Sequence, residues 1–268
     1  MISNGNNFWK FALVSALGAV LLATASGAAI ARDDGEIRFG VAPSFPPFES
    51  RSKDGGVEGF DVDLGNAICA ELKVKCVWVS YDFDAMIPAL KARKFDAILS
   101  SMVITEGRLQ EIDFSQRLYN APTSLISRKG SGMQPTVESL KNKTVGVEQG
   151  TSQEMYAKQK LEPAGVHVQS YANQDLVYAD LVSGRLDASL QDATQAALGF
   201  LKSPEGAGFA ASGSVRDPLL PEVAAIGVDK DRSELKGRLN EAIAQLHRDG
   251  TYNRLQSKYF GTLNLYGE

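Results

Sequence analysis

The chain has 268 residues, with 28 Lys and Arg against 32 Asp and Glu, a formal net charge of −4, two cysteines and two histidines. That length suits about two domain units, and the mildly acidic balance argues against nucleic acid or an anionic membrane surface as partner. Cys and His are too few, and too poorly spaced, to call for a metal, and nothing calls for another cofactor.

Residues 1–31 read as a leader. Lys10 precedes an apolar run from Phe11 to Ala25 and the small residues Ala29-Ile30-Ala31. A charged start, an apolar core and an A-x-A-like end form the pattern of a secretory signal peptide. A membrane anchor is the alternative, but the run is short for a span and is interrupted by Ser15, Gly18 and Thr24. Removing residues 1–31 would take away Lys10 and no acid, moving the formal charge from −4 to −5. With no Cys near the cleavage region to carry a lipid, a soluble exported product is expected. Cys69 and Cys76 are then an even count in an exported chain, which favours a disulfide over two free buried thiols.

In chain order, Glu36–Val41 reads as a strand and Pro43, Pro46 and Pro47 as a rigid turn. Apolar positions 60, 64, 67, 68 and 72 have helical spacing, and Val74–Ser80 reads as the next strand. Tyr119–Ser127 is extended and leads into the Gly- and Ser-rich Lys129–Gly132, read here as a crossing between two lobes. A second extended crossing, Val223–Val228, brings the chain back, and Ser233–Arg248 is a helix stopped by Asp249-Gly250. The implied organisation is residues 32–120 for the first part of lobe 1, 121–214 for lobe 2, and 215–268 for the second crossing and the return to lobe 1. Two crossings make a hinge, and a hinge permits closure around a ligand.

An internal repeat supports the two lobes. Residues 84–101, from Asp84 through Asp96-Ala97 to Ser100-Ser101, align without a gap on residues 175–192, from Asp175 through Asp187-Ala188 to Gln191-Asp192. Each copy reads as an amphipathic helix, an apolar strand and polar residues just past it. Upstream, Phe39-Gly40-Val41-Ala42 matches Val145-Gly146-Val147-Glu148. In open α/β sheets, ligands sit outside the carboxyl ends of the strands, so both lobes are expected to contribute to one cleft.

The residues at those ends suit an α-amino acid. Arg108, in the first turn after Thr105, offers a guanidinium fork to a carboxylate, with the helix start beside it. Thr151 and Glu154 have capping-box spacing, which points free amides near Ser152 and Gln153 at the cleft. Ser101 and Asp192 are equivalent positions that can accept from an ammonium. Phe45 and Phe83 can sandwich a side chain, whereas Phe48 and Phe60 fit a core role equally well. Catalysis finds little support, since neither His167 nor His247 is placed at the cleft by the repeat, and no nucleophile elbow or phosphate loop occurs.

Gly59-Phe60-Asp61-Val62-Asp63-Leu64-Gly65-Asn66, Asp82-Phe83-Asp84, Ile98-Leu99-Ser100-Ser101, Gly184-Arg185-Leu186-Asp187 and Lys258-Tyr259-Phe260 carry a resemblance over essentially the whole mature chain. The chain resembles the periplasmic solute-binding proteins of polar amino-acid ABC importers, most closely the lysine/arginine/ornithine- and histidine-binding branch. The resemblance implies an α/β, type II periplasmic binding fold, with two lobes joined by a two-segment hinge. It implies a monomer that binds an L-amino acid and serves an inner-membrane permease and ATPase. Arg108 would hold the α-carboxylate with amides near Val103 and Ser152, and Ser101 and Asp192 the α-ammonium. Ser100, Thr151, Gln153, Phe45 and Phe83 would line the rest, and the family disulfide falls on Cys69 and Cys76.

Three departures accompany the resemblance. That branch carries an acid where this chain has Ala42, Val103 replaces a hydroxyl residue, and the Gly-rich second crossing becomes Leu220-Pro221-Glu222-Val223-Ala224-Ala225. Glu148, matching Ala42 in the other lobe, is a candidate replacement counter-ion for a distal cation. Its alternative is a solvated carboxylate, or one paired with a neighbouring Lys. An opine or neutral amino acid as ligand, an exported enzyme and a chemosensory module on the same fold are the competing readings.

Overall fold

The computed structural model describes residues 35–267, and the expected leader lies outside the described residues. The chain opens with β1 (Glu36–Val41) and a small ribbon of β2 (Ser44–Phe45), β3 (Glu49–Arg51) and β4 (Val57–Glu58). Helix α1 (Phe60–Glu71), β5 (Lys75–Ser80), α2 (Met86–Lys91) and β6 (Ala97–Ile98) follow, then α3 (Glu106–Glu111) and β7 (Asp113–Asn120). Next come β8 (Thr123–Arg128), α4 (Val137–Leu140), β9 (Thr144–Glu148), α5 (Ser152–Tyr156) and β10 (His167–Tyr171). Helix α6 (Gln174–Ser183), β11 (Ala188–Asp192), α7 (Ala193–Leu198) and β12 (Phe209–Val215) complete that stretch. The chain closes with β13 (Val223–Val228), α8 (Ser233–Arg248) and α9 (Thr251–Phe260).

Among the described residues the strands form two five-stranded sheets of matching order, β5-β1-β6-β13-β7 and β10-β9-β11-β8-β12. The first three strands of each run parallel, the fourth runs opposite to them, and the fifth pairs antiparallel with the fourth. The sequence repeat is therefore a structural repeat, and it extends to the packing. A Cβ on Gly40 would lie 2.6 Å from the Phe95 ring, and one on Gly146 would lie 2.3 Å from Leu186. Phe95 and Leu186 are repeat equivalents, so each lobe needs glycine where one apolar side chain lies across its first strand. The next residue repeats too: Asp96 Oδ2 accepts from Arg38 N at 3.0 Å, and Asp187 Oδ2 accepts from Thr144 N at 2.8 Å.

Helices cover both faces of the first sheet. Leu235, Leu239, Ala242, Ile243 and Leu246 of α8 pack with Phe60, Leu64 and Ile68 of α1 on one side. Met86 and Leu90 of α2 pack with Phe95, Ile98 and Ile112 on the other. Phe48 and Phe60 are fully buried and stack among Tyr119, Tyr252 and Phe260, which settles them as core.

The crossings differ from the sequence reading. The chain passes between sheets at Ala121-Pro122, between β7 and β8, whereas Lys129–Gly132 is a turn beyond β8 in which Gly130 and Gly132 take φ of 75° and 71°. Val223–Val228 is a strand paired inside the first sheet, so the second crossing is the segment 216–222 before it. The two crossings touch: Ala121 N donates to Glu222 O at 2.6 Å.

Cys69 on α1 and Cys76 on β5 are joined by a disulfide, with Cα atoms 5.8 Å apart. Protein alkylated without reductant is expected to show no labelled cysteine by intact mass, and two labels would contradict the bond. Breaking so short a loop should cost roughly 2 kcal/mol of stability if loop-closure entropy dominates.

Candidate functional site

The parallel strands of both sheets end on one cleft. β1 runs out into Ala42 and β6 into Ser100 and Ser101, while β9 ends at Glu148 and β11 at Asp192, and all of these line it. Arg108, Val103, Phe45 and Phe83 join from the first lobe, and Thr151, Ser152 and Gln153 from the second. Every residue picked out from the sequence as a ligand contact thus meets around one space.

Arg108 is only 9% exposed. Thr105 caps its helix, accepting from Arg108 N at 3.2 Å, which turns the side chain inward. Nη1 donates to Val103 O at 2.6 Å, Nη2 reaches across the cleft to Gly150 O at 2.8 Å, and the guanidinium carbon lies 5.3 Å from the Phe83 ring centre. Among the described residues no carboxylate pairs with it, and burial lowers its pKa to about 10. Helix α3 has only six residues, so the positive charge here is the guanidinium's own rather than the helix's. The amides of Val103 and Ser152 make no hydrogen bond among the described residues and remain available as donors.

On the second lobe, Thr151 Oγ1 accepts from Glu154 N at 3.1 Å as expected of the cap. Glu154 reaches back one residue further than a capping box requires, accepting from Gly150 N at 2.8 Å. Gln153 Nε2 donates to Thr123 Oγ1 at 2.9 Å, which anchors it beside β8.

The acids are the other half of the site. Asp192, 5% exposed, caps α7 by accepting from Gln195 N through Oδ1, while its buried Oδ2 has no partner. Burial pushes its pKa up to about 7. Glu148 is 6% exposed and its carboxylate makes no hydrogen bond or ion pair among the described residues. It is neither solvated nor paired with a lysine. Burial, with Asp175, Asp82 and Asp84 adding to it, pushes its pKa up to about 8.

Glu49, Gln174 and Gln191 also line the cleft, and sequence reasoning missed all three. Glu49 accepts from Ser100 Oγ at 2.9 Å and from Ser101 Oγ at 3.3 Å. Burial and the nearby Asp61 hold its pKa well above the carboxylate range. Asp61 in turn accepts from Ser101 N at 2.8 Å, holding Ser101 at φ 51°, a left-handed conformation that costs a non-glycine residue energy. Ser100 Oγ also accepts from Ala42 N at 3.0 Å, and Ser101 Oγ lies 3.0 Å from Tyr119 Oη, so both hydroxyls are held in place at the cleft. Gln191 is held by Ser189 Oγ at 2.8 Å, by Tyr178 Oη at 2.7 Å and by Gln174. His167 is exposed on β10 and His247 stacks on Tyr252. Neither lines the cleft. The arrangement presents a cation and acids that could answer a zwitterion and, among the described residues, offers no general acid–base pair built on histidine.

Comparison with known proteins agrees with this geometry. Residues 37–262 match the model of the bacterial extracellular solute-binding proteins, family 3. The lysine/arginine/ornithine-binding periplasmic protein of Escherichia coli (strain K12) is 50% identical over 234 residues, 87% of this chain and 90% of the relative. The histidine-binding periplasmic protein of the same strain is 45% identical over 257 residues, 95% of this chain and 98% of the relative. An ancestral arginine-binding protein bound to arginine superposes with a TM-score of 0.79 at 36% identity, over 85% of this chain and 99% of that one. These relatives are binding proteins and not enzymes, which removes the exported-enzyme reading. The chain belongs to the bacterial extracellular solute-binding proteins, family 3.

Proposed function

We propose that this chain is the periplasmic substrate-binding component of an ABC importer. It is exported behind residues 1–31, works as a monomer, and delivers an L-amino acid with a cationic side chain to a membrane permease and its ATPase. Residues 32–120 and 215–268 act as one lobe and 121–214 as the other.

The charge count around the cleft carries the ligand class. Arg108 is a buried cation without a carboxylate, Asp192 and Glu148 are buried acids without a cation, and Glu49 is occupied by two serines. A zwitterionic headgroup answers Arg108 and Asp192, and the remaining Glu148 needs a second cation. Buried charges persist only when paired, so beside a neutral side chain Glu148 would stay protonated, whereas a cation would hold it in its ionised form. The names of the relatives, which include lysine, arginine, ornithine and histidine binders, support the same class.

A thermal-shift screen of amino acids and opines tests this. A ligand present at 100 times its Kd should stabilise the fold by about 2.7 kcal/mol. Lysine, arginine, ornithine or histidine should head the ranking. A response confined to neutral amino acids or to opines would overturn the assignment.

Stability without ligand should fall as pH rises from 5 to 8. Asp192 at about 7, Glu148 at about 8 and Asp61 at about 6 all hold protons in the folded state that the unfolded chain releases near its ordinary carboxylate values. The unfolded state then binds fewer protons, so stability is greatest below those ordinary values and is lost through the folded ones. His247, whose pKa burial lowers, works in the opposite sense, against these three acids and Glu49. Melting temperatures across that range should drop, less steeply in Glu148→Gln; a flat profile would contradict the burial of these acids. Added lysine should stabilise more at pH 8 than at pH 6, because its ammonium favours the ionised carboxylates.

A further inference from the structure

A second cavity adjoins the cleft, and Ala42, Phe83 and Glu148 line both. The boundary between the two spaces is thus one methyl group, one ring and one carboxylate. The inner cavity holds about 40 Å³ and the outer one, open to solvent, about 610 Å³. A water needs roughly 10–15 Å³ on that scale. The inner space is therefore the tighter of the two, and the larger room lies beyond the boundary.

The outer cavity carries the exposed acids Asp82 and Asp175, against one base, the exposed Arg51. A rim of acids alone would say little about a ligand. Glu148 is different: a nine-tenths buried carboxylate without any partner, at the point where the two cavities meet. A cation there would have the inner cleft behind it and the outer acids ahead of it.

We propose that the ligand side chain leaves the inner cleft between Ala42 and Glu148, and that the outer cavity takes a further cationic group carried on the distal nitrogen. This rests on the basic amino-acid reading and names a wider substrate class: N-alkylated lysine or arginine types bearing a second ammonium. The distal nitrogen sits against Glu148, and the second ammonium faces Asp82 and Asp175. An acidic substituent at that position meets three carboxylates.

Calorimetry with three probes tests it: L-lysine, Nε-(4-aminobutyl)-L-lysine and Nε-(3-carboxypropyl)-L-lysine. The aminobutyl compound is expected to bind at least as tightly as lysine, and the carboxypropyl compound at least about tenfold more weakly, as like-charge juxtaposition predicts. Asp82→Asn combined with Asp175→Asn, which removes the outer acids and leaves the inner cleft lining untouched, should erase most of the difference between the two substituted compounds while sparing lysine. If lysine binds but the aminobutyl compound is more than about tenfold weaker, a penalty of about 1.4 kcal/mol, the passage is closed and this proposal falls while the basic amino-acid reading stands. If the two substituted compounds bind alike, the outer acids do not select and the proposal also falls. If lysine does not bind and the thermal-shift screen shows no other basic amino acid binding, the underlying reading fails and takes the proposal with it.

Discussion

Arg108→Ala should reduce amino-acid affinity by at least about thirtyfold, since truncating one partner of a buried charge pair costs roughly 2–5 kcal/mol. The structure explains why no neighbour can substitute. Among the described residues Arg108 is the only cation lining the cleft, and its two hydrogen bonds go to carbonyls, Val103 O and Gly150 O, which would themselves repel a carboxylate. The fold should survive, because the guanidinium is desolvated without a charged partner and its removal relieves that cost. For the ammonium side, Asp192→Asn is a better probe than alanine. Asn keeps an oxygen for the Gln195 amide, whereas Ala would also forfeit the cap, worth about 1 kcal/mol. Both variants should melt near the parent temperature and bind poorly by calorimetry. Near-normal affinity in both would place the headgroup elsewhere.

Glu148→Gln separates ligands by charge. Lysine, arginine, ornithine or histidine should lose at least about tenfold, and glutamine less than about threefold, because only the cationic side chains lose a buried counter-ion. Ala42→Asp in the same protein should recover part of the loss, by returning an acid to the opposite wall of the cleft. Ala42 and Glu148 both line that boundary, one from each lobe, so either position can serve. An unchanged ranking of the four cationic ligands against glutamine in Glu148→Gln would remove the carboxylate from selectivity and move the ligand toward neutral amino acids.

The two lobes were legible because the repeat writes the same physical requirement twice. Gly40 with Phe95 and Gly146 with Leu186 are the same close approach of side chain to strand, and Asp96 and Asp187 make the same bond back to that strand. Positions at the strand ends followed from that register. Gln191 carried a signal as well, being the partner of Ser100 in the repeat. Glu49 carried none: it arrives on the β2–β3 ribbon, which has no counterpart in the second lobe. Lys129–Gly132 reads as a crossing for a compositional reason. Lys129–Gly132 has the Gly and Ser of a linker yet serves as a turn, while the chain crosses at Ala121-Pro122 between two well-formed strands, with no flexible residues to mark it. The helix before each strand was expected in both copies, but β6 pairs over only two residues, since Ser101 turns the backbone out of the sheet just beyond it.

The swap of strands at the crossing also orders how the molecule can be assembled. The second sheet draws all its strands from the continuous stretch 123–215, whereas the first needs β13 from beyond it. As synthesis proceeds from the amino end, every cleft residue has been made by Asp192, yet a chain halted at Glu222 would still lack β13, the only sheet neighbour of β7 and one of the two neighbours of β6. Strand β7 carries Tyr119, which hydrogen-bonds Asp61 and Ser101, and β6 leads directly into Ser100 and Ser101. Among the described residues the carboxyl-terminal stretch contributes none to the cleft, and half of the cleft's geometry waits on it.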